Sequence, residues 1–308
     1  MAKSDGEDIE IVSIEEVYSY AGEDGVGILY LVATPIGNLS DITYRAVETL
    51  RSVDILAAED TRQTQKLLNH FSIEGPKLIS YHEHNKRQQG VQLVRALLDG
   101  QSVAVVTDAG TPGISDPGSD LVQLAIEEKI PVVAIPGACA AITSLIASGL
   151  NTESFTFIGF LPREKKQRFD RLEQLRTHQE TLIFYESPHR IKQVLQDMES
   201  VFTNRDAVLA RELTKRYEAF TRGKLSDLLD FLNRNEPRGE YVILVRGITQ
   251  QELETELEDL AWWKDLNLSD HVELLIRNGR DQKEAIKEVA KLRGLSKRDV
   301  YQAVHKNT

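Results

Sequence analysis

A single cysteine, Cys139, in 308 residues leaves no disulfide framework and no zinc site built from cysteines. Aromatic residues make up only 6% of the chain. No apolar run approaches the ~18–20 residues that a membrane span needs. The opening stretch MAKSDGEDIE is acidic and has no signal-like apolar core, so a cytoplasmic protein with no membrane partner is expected. Two familiar phosphate loops are also missing. No G-x-G-x-x-G occurs, and the one Gly-Lys pair, Gly223–Lys224, is followed by Leu225 rather than Ser or Thr.

What is present is a 41% hydrophobic chain long enough for two domains or one with an appendage. The net charge of −11 is unevenly spread, because residues 1–27 alone carry −7. The segment Arg280–Thr308 carries +4, and Phe160–Arg176 holds six basic residues against three acidic ones. Local fields of this kind govern the steering of a polyanion more than the total does.

From Ile28 the chain alternates short buried-type strands with helix-length segments: strands at 28–33, 53–58, 77–81, 103–106 and 132–135, helices at 41–52, 87–100 and 118–129. Non-alternating apolar strands separated by helices predict a mostly parallel α/β sheet. A cap at Ser40 or Asp41 is expected for the first helix. A second α/β series starts near Phe155, with some antiparallel pairing because two of its strands are separated by only a few residues. The expected organisation is a flexible acidic arm over 1–27, an N-terminal α/β domain over 28–150, a C-terminal α/β domain over 151–248 and a helical extension over 249–308. The last stretch reads as helix, Gly294 turn, helix, with exposed Lys and Arg.

The loops after the strands carry the unusual chemistry. Val105–Gly118, VVTDAGTPGISDPG, packs three glycines, two prolines and two aspartates into fourteen residues. A tight strand–helix turn needs only one or two such residues, so the loop is expected to bring its backbone against a ligand. VATPIGNLSD (32–41), AAEDTRQT (57–64) and AIPGACAAIT (134–143) share the design, which points to one cleft at the strand ends.

These stretches, with TLIFYESPHR (181–190), LARELTKRYE (209–218) and GEYVILV (239–245), occur in an order and spacing that resemble the tetrapyrrole-methylase-like (class III) S-adenosylmethionine-dependent methyltransferases. Within them the likeness is to the bacterial branch that 2′-O-methylates a cytidine ribose in small-subunit ribosomal RNA. The resemblance runs from about Leu29 to the end of the chain, and the arm over 1–27 has no counterpart. It implies two α/β domains with S-adenosylmethionine held in a cleft between them, and a homodimer acting on ribosomal RNA within the assembled small subunit. By the same resemblance, Asp108, Ala109, Gly110, Thr111, Ile114, Cys139, Ala140, Tyr185, Glu186 and Leu213 hold the cofactor. Cys139 stands where Thr or Ser is frequent.

A ribose hydroxyl is a poor nucleophile at neutral pH, so a general base is expected. Glu59 is the first choice, with Asp60 and Glu186 beside it; His82, His84, His189, Glu212 and Lys215 are further candidates. Arg62, Arg163, Lys165, Lys166, Arg190, Lys215 and Arg216 are expected to grip RNA phosphates. A small-molecule tetrapyrrole methylase and a non-catalytic RNA-binding protein are the alternatives; the latter would not bind S-adenosylmethionine.

Overall fold

A computed structural model of the protein describes residues 25–260, 263 and 266–305, so residues 1–24 of the acidic arm lie outside the described residues. In sequence the chain divides into two compact units, the first ending at Gly247 and the second starting at Ile248. The first unit contains two five-stranded sheets.

The first sheet is built from β1 (Leu29–Val32), β2 (Ile55–Ala58), β3 (Lys77–Ser80), β4 (Val103–Val106) and β5 (Val132–Ile135), in the spatial order β3-β2-β4-β1-β5. Every pairing in it is parallel. Between the strands run α1 (Tyr44–Ser52), α2 (Thr61–His70), α3 (Lys86–Leu98) and α4 (Ser119–Glu127). Alternation along the strands divides the core into two layers. Leu29, Ala57, Val103 and Val105 pack with Leu93, Leu97 and Leu121 of α3 and α4. Val32, Leu56, Ala58 and Val106 pack with Ala46, Leu50 and Leu68 of α1 and α2 on the other face. Each fully buried leucine contributes about 1.5–3 kcal/mol.

Two local expectations are corrected. Neither Ser40 nor Asp41 caps α1. Both belong to a short 3-10 turn over Leu39–Asp41, whose own cap is Asn38. Thr43 caps α1, its side chain accepting the Ala46 N–H at 3.1 Å. AAEDTRQT is not only a strand-end loop: Asp60 caps α2, which begins at Thr61.

The second sheet comprises β6 (Phe155–Phe160), β7 (Thr181–Glu186), β8 (Asp206–Arg211), β9 (Ala219–Lys224) and β10 (Tyr241–Val245), in the order β6-β7-β10-β8-β9. β6 pairs with β7 in parallel, and the other pairs are antiparallel. One face, with Leu182, Phe184, Leu209 and Ile243, is covered by α6 (Lys165–Leu175), α7 (Ile191–Phe202) and α8 (Leu225–Arg234). The opposite face, with Ile183, Val208, Ala210 and Leu244, is covered by Ala141 and Leu145 of α5 (Ala140–Ser148). The helix that follows the last strand of the first sheet therefore packs on the second. This joins the two sheets and brings the strand-end loops of the first over the second.

The second unit starts with the acidic α9 (Gln250–Leu260) and continues as α10 (Leu268–Arg277), α11 (Gln282–Arg293) and α12 (Lys297–His305). The last three enclose Val272, Leu275, Ala285, Ile286, Val289, Ala290 and Val300. Gly294 ends α11 in a left-handed conformation, and Ser296 Oγ accepts the Asp299 N–H at 3.1 Å. His271 stacks on Trp263, and Arg293 Nε donates to His271 Nδ1 at 3.2 Å. Among the described residues no helix is long and apolar enough to cross a membrane.

Candidate active site

A cleft of about 420 Å³ opens where the C-terminal ends of the parallel strands face the second sheet. The first sheet supplies Ile36 after β1, Glu59 after β2, residues 108–111 and 114–116 after β4, and Cys139 and Ala140 after β5. The second sheet supplies Phe160, Tyr185–Pro188, Ala210, Leu213 and Glu240–Val242.

The loop after β4 is tied down at both sides. Thr34 and Gly110 exchange backbone hydrogen bonds at 2.8 and 3.0 Å, with Gly110 at φ +89°, a conformation that favours glycine. Thr111 Oγ1 donates to the Ala138 carbonyl at 3.1 Å, and the Asp60 N–H donates to Asp108 Oδ1 at 3.0 Å. Opposite, the Tyr185 hydroxyl accepts the Ala141 N–H in the first turn of α5 at 3.0 Å. Burial, then the adjoining Cys139, push the Tyr185 phenol far above its usual range, so it stays neutral. Cys139 itself is a half-buried residue at the head of α5, with no side-chain cap. Three non-glycine residues around the cleft hold left-handed backbone: Ser115 at φ +63°, Glu212 at +51° and Thr214 at +64°. Such conformations persist where the surroundings enforce them, and they gather at ligand sites.

The electrostatics are acidic. Burial raises the Glu59 carboxyl above its ordinary value, and the Asp108 charge adds to that. Asp116 is pushed up to about 6 by burial and by the charges of Glu59 and Asp108. Among the described residues no cluster of His, Cys, Asp and Glu has the arrangement to hold a metal ion.

All ten residues that the family resemblance assigns to the cofactor, Glu186 among them, line this cleft, as does Glu59. Asp60 does not: its carboxylate accepts the Arg62 N–H at 2.8 Å and pairs with the Arg62 guanidinium at 2.8 Å. His82, His84, His189, Glu212 and Lys215 are likewise absent from the lining. Of the expected RNA contacts, Arg62, Arg163, Lys165, Lys166 and Arg216 are exposed. Arg190 is half-buried; it donates to the Leu161 carbonyl at 3.0 Å and sits 3.5 Å from Glu186. Lys215 bridges Glu212 and Glu240 at 3.0 and 2.8 Å. Sequence reasoning missed Ile36, Ser115, Asp116, Phe160 and Glu240, among others. Asp116 carried a signal in the motif ISDPG, which served there only as a helix start.

Solved structures with the same architecture define the class by fold. Diphthine synthase superposes with a TM-score of 0.57 at 14% identity, over 75% of this chain and 94% of that one. A cobalamin biosynthetic enzyme, cobalt precorrin-4 methyltransferase, does so with 0.54 at 19%, over 71% and 94%. Residues 28–229 match the model of the Tetrapyrrole (Corrin/Porphyrin) Methylases, and the chain belongs to that family. It is 53% identical to the ribosomal RNA small subunit methyltransferase I of Halalkalibacterium halodurans, over 93% of this chain and 98% of that protein. The protein of the same name from Bacillus subtilis is 48% identical over 93% and 97%.

Family membership makes S-adenosylmethionine the methyl donor, and the cleft fits it. The volume suits a nucleoside-sized ligand. Ile36, Ile114, Phe160, Leu213 and Val242 give apolar walls, and the 108–111 backbone with Glu59, Asp108 and Glu186 adds polar lining. Carboxylates are the appropriate surroundings for a sulfonium and an ammonium.

Proposed function

We propose that this chain methylates the ribose 2′-oxygen of a cytidine in small-subunit ribosomal RNA. The observation that carries the reading is near-full-length identity of 53% and 48% to two ribosomal RNA small subunit methyltransferases I. The TPIGN, AEDTR and DAGTP stretches support the choice of cytidine. The acid-lined cleft supports an oxygen nucleophile, since a hydroxyl must lose a proton on attack.

S-adenosylmethionine supplies an electrophilic methyl group on a sulfonium. Asp108–Thr111, Ile114, Cys139, Ala140, Tyr185, Glu186 and Leu213 hold it, and the chain's main work is to align the attacking oxygen with that methyl and keep water out. A neutral Tyr185 fixes the start of α5 without adding charge beside the cofactor. Arg62, Arg163, Lys165 and Lys166 meet RNA phosphates at the surface, giving a salt-dependent term rather than sequence choice. Arg190 and Lys215, paired with Glu186 and with Glu212 and Glu240, organise the walls. The target base is read splayed from its stack, on the surface of the assembled subunit, by a homodimer.

The test is transfer of labelled methyl from S-adenosylmethionine to naked small-subunit RNA and to intact small subunits, followed by nucleoside analysis. Labelled 2′-O-methylcytidine is the expected product, with intact subunits preferred. Label in a tetrapyrrole but not in RNA would favour a small-molecule methylase, and no binding of S-adenosylmethionine would overturn the enzyme reading altogether.

A further inference from the structure

Five carboxylates line the cleft, and four of them already have donors. The Asp108 N–H serves Glu59, and the Asp60 N–H serves Asp108 at 3.0 Å. The Ser187 N–H donates to Glu186 Oε1 at 2.7 Å, while the buried Glu186 Oε2 has only the Arg190 guanidinium at 3.5 Å, and Lys215 Nζ lies 2.8 Å from Glu240. Asp116 alone among these five has neither a hydrogen bond nor an ion pair among the described residues.

The backbone around Asp116 is held in place from both sheets. Gly113, Ser115 and Gly118 all have positive φ, at +81°, +63° and +139°, and the Gly113 N–H donates to the Pro117 carbonyl at 3.3 Å. A serine in left-handed backbone is costly unless its neighbours compel it. The neighbour here is Gly159, at an irregularity in the β6–β7 pairing between Phe157 and Gly159. A Cβ at Gly159 would come within 3.0 Å of Ser115 Oγ, so its absence makes room for the turn that presents Asp116. From the other side the Thr34–Gly110 bridge anchors the same loop.

We propose that Asp116 is the proton acceptor in methyl transfer, taking the ribose hydroxyl proton as that oxygen attacks. The assignment rests on the 2′-O reading above. In the step the oxygen forms its bond to the methyl carbon and the carbon–sulfur bond breaks with its electron pair left on sulfur. The hydroxyl proton ends on an Asp116 carboxylate oxygen. A carboxylate with unspent lone pairs is suited to this, and one made more basic than an ordinary aspartate is better suited still. The groups that face Asp116 are Asp108 on its own loop, Glu59 at the end of β2 and the neutral Tyr185 on β7. The two acids raise it to about 6 with burial; Glu59, in this arrangement, acts on the base rather than as the base.

The experiment compares wild type, Asp116→Asn and Asp116→Glu in labelled-methyl assays across pH 5–9, with S-adenosylmethionine affinity measured by calorimetry on the same preparations. Wild-type rates should rise with pH to a plateau above about 6. Asp116→Asn should lose about a hundredfold in kcat, keep KM for RNA and cofactor affinity within about threefold, and lose the acidic limb. Asp116→Glu should retain a limb, possessing a carboxylate in the same place, and recover part of the rate. An Asn variant with the wild-type rate and limb overturns the proposal, and so does one whose only defect is cofactor binding. A wild-type enzyme that binds S-adenosylmethionine but makes no 2′-O-methylnucleoside overturns the parent reading instead.

Discussion

An aspartate whose carboxyl is pushed up to about 6 by burial and by two like charges weakens the fold that contains it. Its folded pKa lies above the unfolded value, so the folded state binds the extra proton between about pH 4 and 6. Stability from this group is therefore present in acid and is lost as pH rises through 6. Asp116→Asn should melt higher than wild type at pH 7.5, by about 1–2 kcal/mol after solvent screening is allowed for. The advantage should vanish below about pH 4; thermal denaturation at both pH values checks it. Tyr185 acts in the opposite sense at the same site. Its hydroxyl accepts a helix-start N–H at 3.0 Å, so Tyr185→Phe should cost about 1 kcal/mol and weaken S-adenosylmethionine binding several-fold in calorimetry.

At the scale of elements, the strands were the most legible part of the chain. ILYLVA, VAVV and YVILV carry no charged residue because both faces of their sheets are covered. Helix α2 was less legible, since only Thr64 and Leu68 are buried in it and its polar remainder reads as loop. The cap of α1 was misplaced because Asn38, Ser40, Asp41 and Thr43 are all competent caps within six residues, and only the intervening turn decides among them. In the site, the glycine-rich loops were visible from composition, but the choice among acids depends on which carboxylate lacks a donor, and that is a property of the folded chain. The pair Arg168–Asp197 was equally hidden. It joins α6 to α7 at 2.6 Å with both side chains buried, while Arg168 also donates to the Arg163 carbonyl at 2.9 Å. Asp197→Ala leaves that guanidinium without its partner and should cost about 3–5 kcal/mol by urea denaturation.

Over the whole molecule, the two compact units contain individual groups of opposite pH sense. In the second, burial and then the Arg293 charge lower the His271 pKa, so the unfolded chain takes up the proton first. Stability is complete above about 6.5 and falls as pH drops below it, the reverse of the trend set by Asp116 in the first unit. Hydrogen exchange at pH 7.5 and 5.5, corrected for intrinsic rates, should show protection lost from α10–α12 on acidification.

Because α5 precedes the crossing between the sheets yet covers the second of them, the place where the chain passes from one sheet to the other is not a physical seam. Cutting between Leu150 and Ser154 would leave one fragment with an uncovered helix and the other with an uncovered sheet face, apolar surfaces that fit each other. Coexpressed halves divided at that turn should accordingly find each other and copurify, and an enzyme assembled from two genes is a natural use of this fold.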